Sequence, residues 1–355
     1  MSTRLAVTAT PWLEADALFR SDPRWLGSDD AYSVDLQDGR TLWLFGDTFI
    51  DPGLTGSRRE AHFIRNSIGI QTGSDPSSAS IDFHWGHTQA GEPRSFFEAH
   101  HPEWLWPLDG RVVDGVLHLC FMKVRSPSPQ ASSVSPIEEW RRRGPLGFFD
   151  VYDWHAVIVR NFAEPVDAWK LERVTVPDSA GIICGAALLR HGQYLLSYGW
   201  KGRHGFLCRW PAATGGVDIS QAPEWWDGRT WTADPESAAL ALARCTTEFT
   251  VHQSASGKFI QLQVIGIQTG DLEVRWSDAP EGPWSDPYPV YRAPESERAG
   301  VFVYAAKAHM QLSGAPLVCT YASNGPDVDY TLDDLSIYYP RFVRLDGVDA
   351  LVDER

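Results

Sequence analysis

The feature that most constrains this chain is a strand phrase that recurs five times. Its members are AYSVDL, TLWLFGD, RNSIGIQT and IDFHWG; then the TrpLeuTrp stretch at 104 to 106 with RVVDG, VLHLCFMKV, DWHAVIVRNF and WKLERVTV; then GAALLR, QYLLSYGW, GFLCRWP and EWWDGRTW; then EFTVHQ, KFIQLQVIG, DLEVRWSD and PWSDPYPVY; and finally AAKAHMQL, PLVCTYASN and IYYPRFVRL. Each unit is roughly 70 residues of short apolar runs punctuated by turn residues, too long for one coil of a parallel β-helix. A β-sandwich pair is the other alternative. A four-stranded sheet cannot bury both of its faces alone, whereas sheets repeated around an axis protect one another's faces and edges. The expected fold class is therefore all-β: a five-bladed β-propeller with four-stranded antiparallel blades, one domain over 1–355, with blades at 27–90, 96–177, 181–235, 244–292 and 301–346.

Within the first unit, GSDDAYSVDLQDGRTLWLFGDT reads as a hairpin turning at Gln37-Asp38-Gly39-Arg40. A hairpin returns to its starting end, so Asp29 or Asp30 is expected beside Asp47. Carboxylates held together cannot both ionise freely, which suits one of them to donate a proton. Asp at a strand end is also a common turn or cap residue.

Composition removes several function classes. With 46 acidic against 31 basic residues and a net charge of -15, the chain lacks the basic surface that a nucleic acid requires. Arg141, Arg142 and Arg143 follow Glu138 and Glu139 in an expected short helix and read as a solvated face. No apolar run reaches the ~20 residues of a membrane span, and the N-terminus lacks the apolar core of an export signal, so a cytoplasmic location without membrane partners is expected. Five widely spaced cysteines fit buried free thiols better than disulfides or a zinc site. Neither His spacing nor acid spacing declares a metal, and no cofactor is expected.

Propeller geometry collects the starts of innermost strands, the ends of second strands and the starts of third strands on one face. That rule brings Asp29, Asp30, Asp47, Arg65, Asn66, Trp104, Trp106, Asp153, His155, Trp200, Lys201, Arg203, Glu248, Lys307 and Asn324 to a common mouth, with His309 as a further candidate funnel residue. Asp29 is the candidate nucleophile or water-activating base and Asp47 the candidate general acid, with Glu248 the third carboxylate and the alternative acid. Arg65 and Asn66 would bind ligand hydroxyls or hold Asp47 ionised, and the Trp rings offer broad apolar platforms with polar edges. The blander readings are an internal ion pair for Arg65, a core position for each His, and blade packing for most Trp residues, Trp225, Trp226 and Trp231 among them. The connector 125–149 reads as a surface loop more than as a lid.

The segments W-x-GSDDAYSV, DGRTLWLFGDTF, RNSIGI, CGAALLRHGQYLLSYGW, APEGPWSDP and YYPRFVRL resemble bacterial five-bladed propeller proteins related to glycoside hydrolases, the endo-D-arabinanases among them. The similarity runs from about Trp25 to Leu345. It implies that Asp29 and Asp47 are the paired acids of an axial funnel that binds and cleaves a furanoside, with carboxylate separation setting retention or inversion. Asp30 stands where family members usually carry Gly. The expected partner is a small molecule or oligosaccharide. The two other functional readings are a carbohydrate-binding propeller without hydrolysis and a propeller recruited to protonation or cyclisation in small-molecule biosynthesis.

Overall fold

The computed structural model describes residues 7–100, 102–127, 135–213, 216–266 and 269–353. It is an all-β propeller whose blades are four-stranded antiparallel sheets. The first sheet runs Trp25–Asp35, Arg40–Ile50, Ser67–Thr72 and Ser80–His84 from the axis outward, with His62–Ile64 added to the second strand. The second runs Glu103–Val113, Val116–Arg125, Asp150–Val159 and Leu171–Val174. The third runs Ile183–His191, Tyr194–Lys201, His204–Ala213 and Glu224–Trp226, extended by Trp231–Thr232 and flanked by two short strands. The fourth is Thr250–Gln253, Phe259–Val264, Asp271–Ser277 and Tyr288–Arg292.

The last sheet differs from its expected composition. Its inner three strands, Phe302–Ala308, Leu317–Asn324 and Arg341–Asp346, lie where the strand phrase put them, but the outer strand is Thr8–Pro11. Thr8 pairs with Asp346 and Pro11 with Val343. Sheet pairing thus joins opposite ends of the chain. Aromatic packing backs this seam: Phe19 stacks on Phe342 at 4.9 Å and Trp25 meets Tyr339 at 5.7 Å. Burial of Phe19 and Phe342 contributes about 1.5–3 kcal/mol each.

Innermost strands touch in chain order. Val34 faces Gly110, Asp109 accepts the Leu188 amide at 2.7 Å, Ala187 and Leu189 share a core cluster with Val251, Thr250 accepts the Ala308 amide at 3.0 Å, and Ser33 meets His309 at 2.6 Å. Strands covered on both faces explain why every residue from Thr41 to Ile50 is buried. All five cysteines are buried and free, with the Cys184 and Cys208 sulfurs 4.0 Å apart. Among the described residues, no helix is long and apolar enough to cross a membrane.

Candidate active site

The first hairpin builds the floor of the site. Gln37 and Gly39 take positive φ at its turn, and the Leu36 amide donates to the Arg40 carbonyl at 3.1 Å. The two strands are eleven residues each, and their register shifts three times between Trp25 and Tyr32. Bulges re-aim side chains, and here Asp30 and Ala31 adopt φ of 70° and 83°. Asp29 and Asp30 consequently both border one cavity while meeting different partners. Gly46 leaves room for the Asp29 carboxylate, because a Cβ there would lie 2.4 Å from Asp29 Oδ1 and turn it aside.

Asp29 Oδ2 accepts from the Tyr304 hydroxyl at 2.8 Å and the Tyr338 hydroxyl at 3.4 Å. Burial, then the negative charges of Asp47 and Glu248, push the Asp29 carboxyl well above the usual carboxylate range. Both phenols are themselves pushed well up, by burial and by Asp29, and so remain donors. Asp47 receives Arg65 Nη1 at 3.1 Å and Trp106 Nε1 at 2.8 Å. Burial raises its carboxyl as well, while the Arg65 charge and these hydrogen bonds oppose the rise. Asp30 is tied to the fully buried Lys307 at 2.8 Å, whose ammonium lies 4.1 Å from the Tyr32 ring centre. Burial pushes Asp30 up and Lys307 pulls it back.

These acids open into a cavity of about 770 Å³, bordered also by Glu248, Trp106, Arg203, Arg244, Thr247 and Asn324. Part of its cover comes from the connector after the second strand of the second sheet. Helix Pro136–Arg143 starts on Ser135, whose hydroxyl accepts the Glu138 amide at 3.2 Å; acids fill its first turn and arginines its last, the order that the helix dipole favours. Trp140 is buried and stacks on Phe148 at 5.8 Å, and Arg141 pairs with Asp329 at 3.0 Å. Residues 135–149 therefore pack onto the mouth, correcting the surface-loop expectation. The remainder of the expected loop, 128–134, lies outside the described residues.

The structure brings together at the cavity Asp29, Asp30, Asp47, Glu248, Trp106, Arg203 and Asn324. Asn324 is partly spent, because its Oδ1 accepts from the Gly325 amide and the Thr331 hydroxyl. The other expected residues do not line it, each for a physical reason. Arg65 reaches Asp47 from behind and lies 4.0 Å from the Trp104 ring centre, which uses Trp104 as a cation-π support rather than a sugar platform. Asn66 is fully buried and spends its amide on the Phe97 carbonyl, the Leu105 carbonyl and the Phe97 amide. Asp153 faces Lys123 at 3.4 Å at the surface, and His155 pairs with Phe121 in the sheet, its ring pushed down to about 4 by burial and by nearby cations. Trp200 packs between blades, and Lys201 donates to the Ala180 carbonyl at 2.7 Å. Lys307 is sealed beneath the floor with Asp30. His309 has both nitrogens engaged, by Ser33 at 2.6 Å and Thr320 at 2.8 Å, and packs on Trp43.

Sequence reasoning missed Tyr338, Arg244, Phe148 and Phe149 as cavity residues. Tyr338 lay within the YYPRFVRL segment, and Phe148 and Phe149 at the end of the connector, so the signal was position on the functional face. Among the described residues, no group of three His, Cys, Asp or Glu side chains is arranged to hold a metal ion.

The model of the family described as "Domain of unknown function (DUF5005)" matches residues 13–138 and 152–348. No curated protein matches the chain by sequence. Among solved structures, one from Bacteroides ovatus ATCC 8483 described as a "putative hydrolase" is 18% identical, with a TM-score of 0.74 over 99% of this chain and 95% of that one. An exo-beta-1,3-galactanase from Phanerochaete chrysosporium, solved with beta-1,3-galactotriose, is 9% identical, with a TM-score of 0.51 over 91% of this chain and 61% of that one. At these identities the likeness is one of fold.

Proposed function

The chain belongs to the DUF5005 family, and we propose that it is a glycoside hydrolase acting on a furanoside of the D-arabinan type. The observation that carries this reading is the convergence of Asp29, Asp47 and Glu248 on one cavity, with burial and like charge favouring a proton on Asp29. Asp29 gives that proton to the leaving oxygen as the C1–O bond breaks. Asp47, braced by Arg65 and Trp106, supplies the neighbouring negative charge. Glu248 takes a proton from the water that adds to C1, or attacks C1 itself if configuration is retained. This reverses the expected roles of the aspartates, because Asp47 has the cationic neighbour and Asp29 does not. The fold that accompanies this reading is a five-bladed ring in one domain over 1–355, supported by the chain-order contacts of the innermost strands.

The test is release of oligosaccharides from D-arabinan by the purified protein. Asp29→Asn and Glu248→Gln should each lower kcat by about 10²–10⁴. Asp47→Asn should move the alkaline limb of the rate to lower pH, since loss of a negative neighbour lets Asp29 ionise sooner. Sugar binding without products from the unmutated protein would replace hydrolysis by a binding role. A second reading, acid/base chemistry on an apolar small molecule, is favoured by the aromatic and aliphatic side chains in the cavity lining.

A further inference from the structure

The floor and walls of the cavity have different chemistry. Carboxylates occupy the floor, while Leu146, Phe148 and Phe149 border it on the connector side and Val264 and Ile265 at the end of a strand in the fourth sheet. The connector wall is continuous with the reacting groups: the Trp106 indole donates to Asp47 at 2.8 Å and meets the Phe149 ring at 4.6 Å, at an interplanar angle of 73°. Phe149 in turn meets Phe148 at 5.3 Å, and Leu146 beyond them is 55% exposed. Every hydroxyl of a sugar residue seeks a donor or acceptor, which aliphatic and phenyl surfaces do not supply. Such surfaces gain free energy when another apolar group covers them.

We propose that the group attached to the sugar is apolar, an alkyl or aryl aglycone seated against this wall. The inference rests on the glycoside reading of the floor. A furanose ring would sit over Asp29, and its leaving group would extend along Phe149 towards Leu146.

The experiment compares binding of n-hexyl and methyl D-arabinofuranoside to Asp29→Asn by calorimetry, with cleavage of both by the unmutated protein. Each methylene buried should tighten binding roughly threefold to fourfold, so hexyl should bind at least about 30-fold more tightly than methyl. Phe149→Ser should bring the two within about threefold of one another. Leu146→Asn, at an exposed position that folding tolerates, should weaken hexyl binding more than methyl binding. Equal affinity for both glycosides, or no binding of either, overturns the proposal. Tight hexyl binding with no cleavage would sink the hydrolase reading and leave the apolar wall standing; cleavage with equal affinity would do the reverse.

Discussion

Asp29 and Asp30 are adjacent in sequence and both border the same cavity, yet they belong to two regions with opposite electrostatics. Around Asp29, neighbouring acids raise the free energy of a further negative charge, and two phenols are its hydrogen-bond donors. Beneath it, Asp30 meets Lys307, His309 is likewise sealed among polar partners, and the half-buried Asp109 accepts the Leu188 amide. Burial is common to both regions, so burial does not separate a reacting carboxylate from a structural one. The separating property is whether compensation comes from fixed protein groups or is left for a proton and a ligand.

Three measurements bear on this contrast. The largest effect is expected from Lys307→Met, which leaves Asp30 buried without its cation and should cost about 3–5 kcal/mol in denaturant unfolding. Adding Asp30→Asn should restore most of that loss. A single-variant cost below about 1 kcal/mol would mean that the lower region does not depend on the pair.

Asp109 is next. Burial pushes its carboxyl up to about 6, against the Leu188 and Gly110 amides that oppose the rise. A folded-state value above the unfolded one contributes stability present below about pH 4 and lost as pH rises through about 6. Asp109→Asn should therefore gain on the unmutated protein between pH 4 and pH 7, by up to about 3 kcal/mol. A difference that stays flat across that range would remove Asp109 from the region of compensated acids.

Asn66→Ala gives the smallest change. Loss of its three backbone contacts should cost about 1–3 kcal/mol of stability and leave kcat/KM within about twofold. A rise in KM with unchanged stability would return Asn66 to the substrate site.

Legibility in the sequence followed the range of the interactions involved. The Asp-Gly turn and flanking β-formers were local and brought Asp29 near Asp47 across the hairpin, but both strands run on past these acids, to Trp25 and Ile50, so the acids lie within the hairpin rather than at its open end. The bulges were not legible, since strands buried on both faces carry no clean apolar alternation for a one-residue shift to interrupt, and it is at the bulged backbone that Asp30 meets Lys307. Side-chain direction was similarly hidden: Asn66 and Trp104 lie on the expected face of their blades but point into packing. Phe148 and Phe149 follow a polar, Pro-rich stretch whose composition suggested solvent. Phe148 is buried against Trp140 of the same connector, and the helix that carries Trp140 is tied by Arg141 to Asp329, which is distant in sequence.

The pairing of Thr8–Pro11 with Arg341–Asp346 also orders events in synthesis. Four of the sheets draw their main strands from contiguous stretches and have them in hand once translated. The sheet that ends on Thr8–Pro11 must wait until that segment meets Arg341–Asp346, made much later, a closure with large loop entropy. A nascent chain halted before residue 341 would leave that early segment unpaired and a sheet edge bare, open to association with other chains.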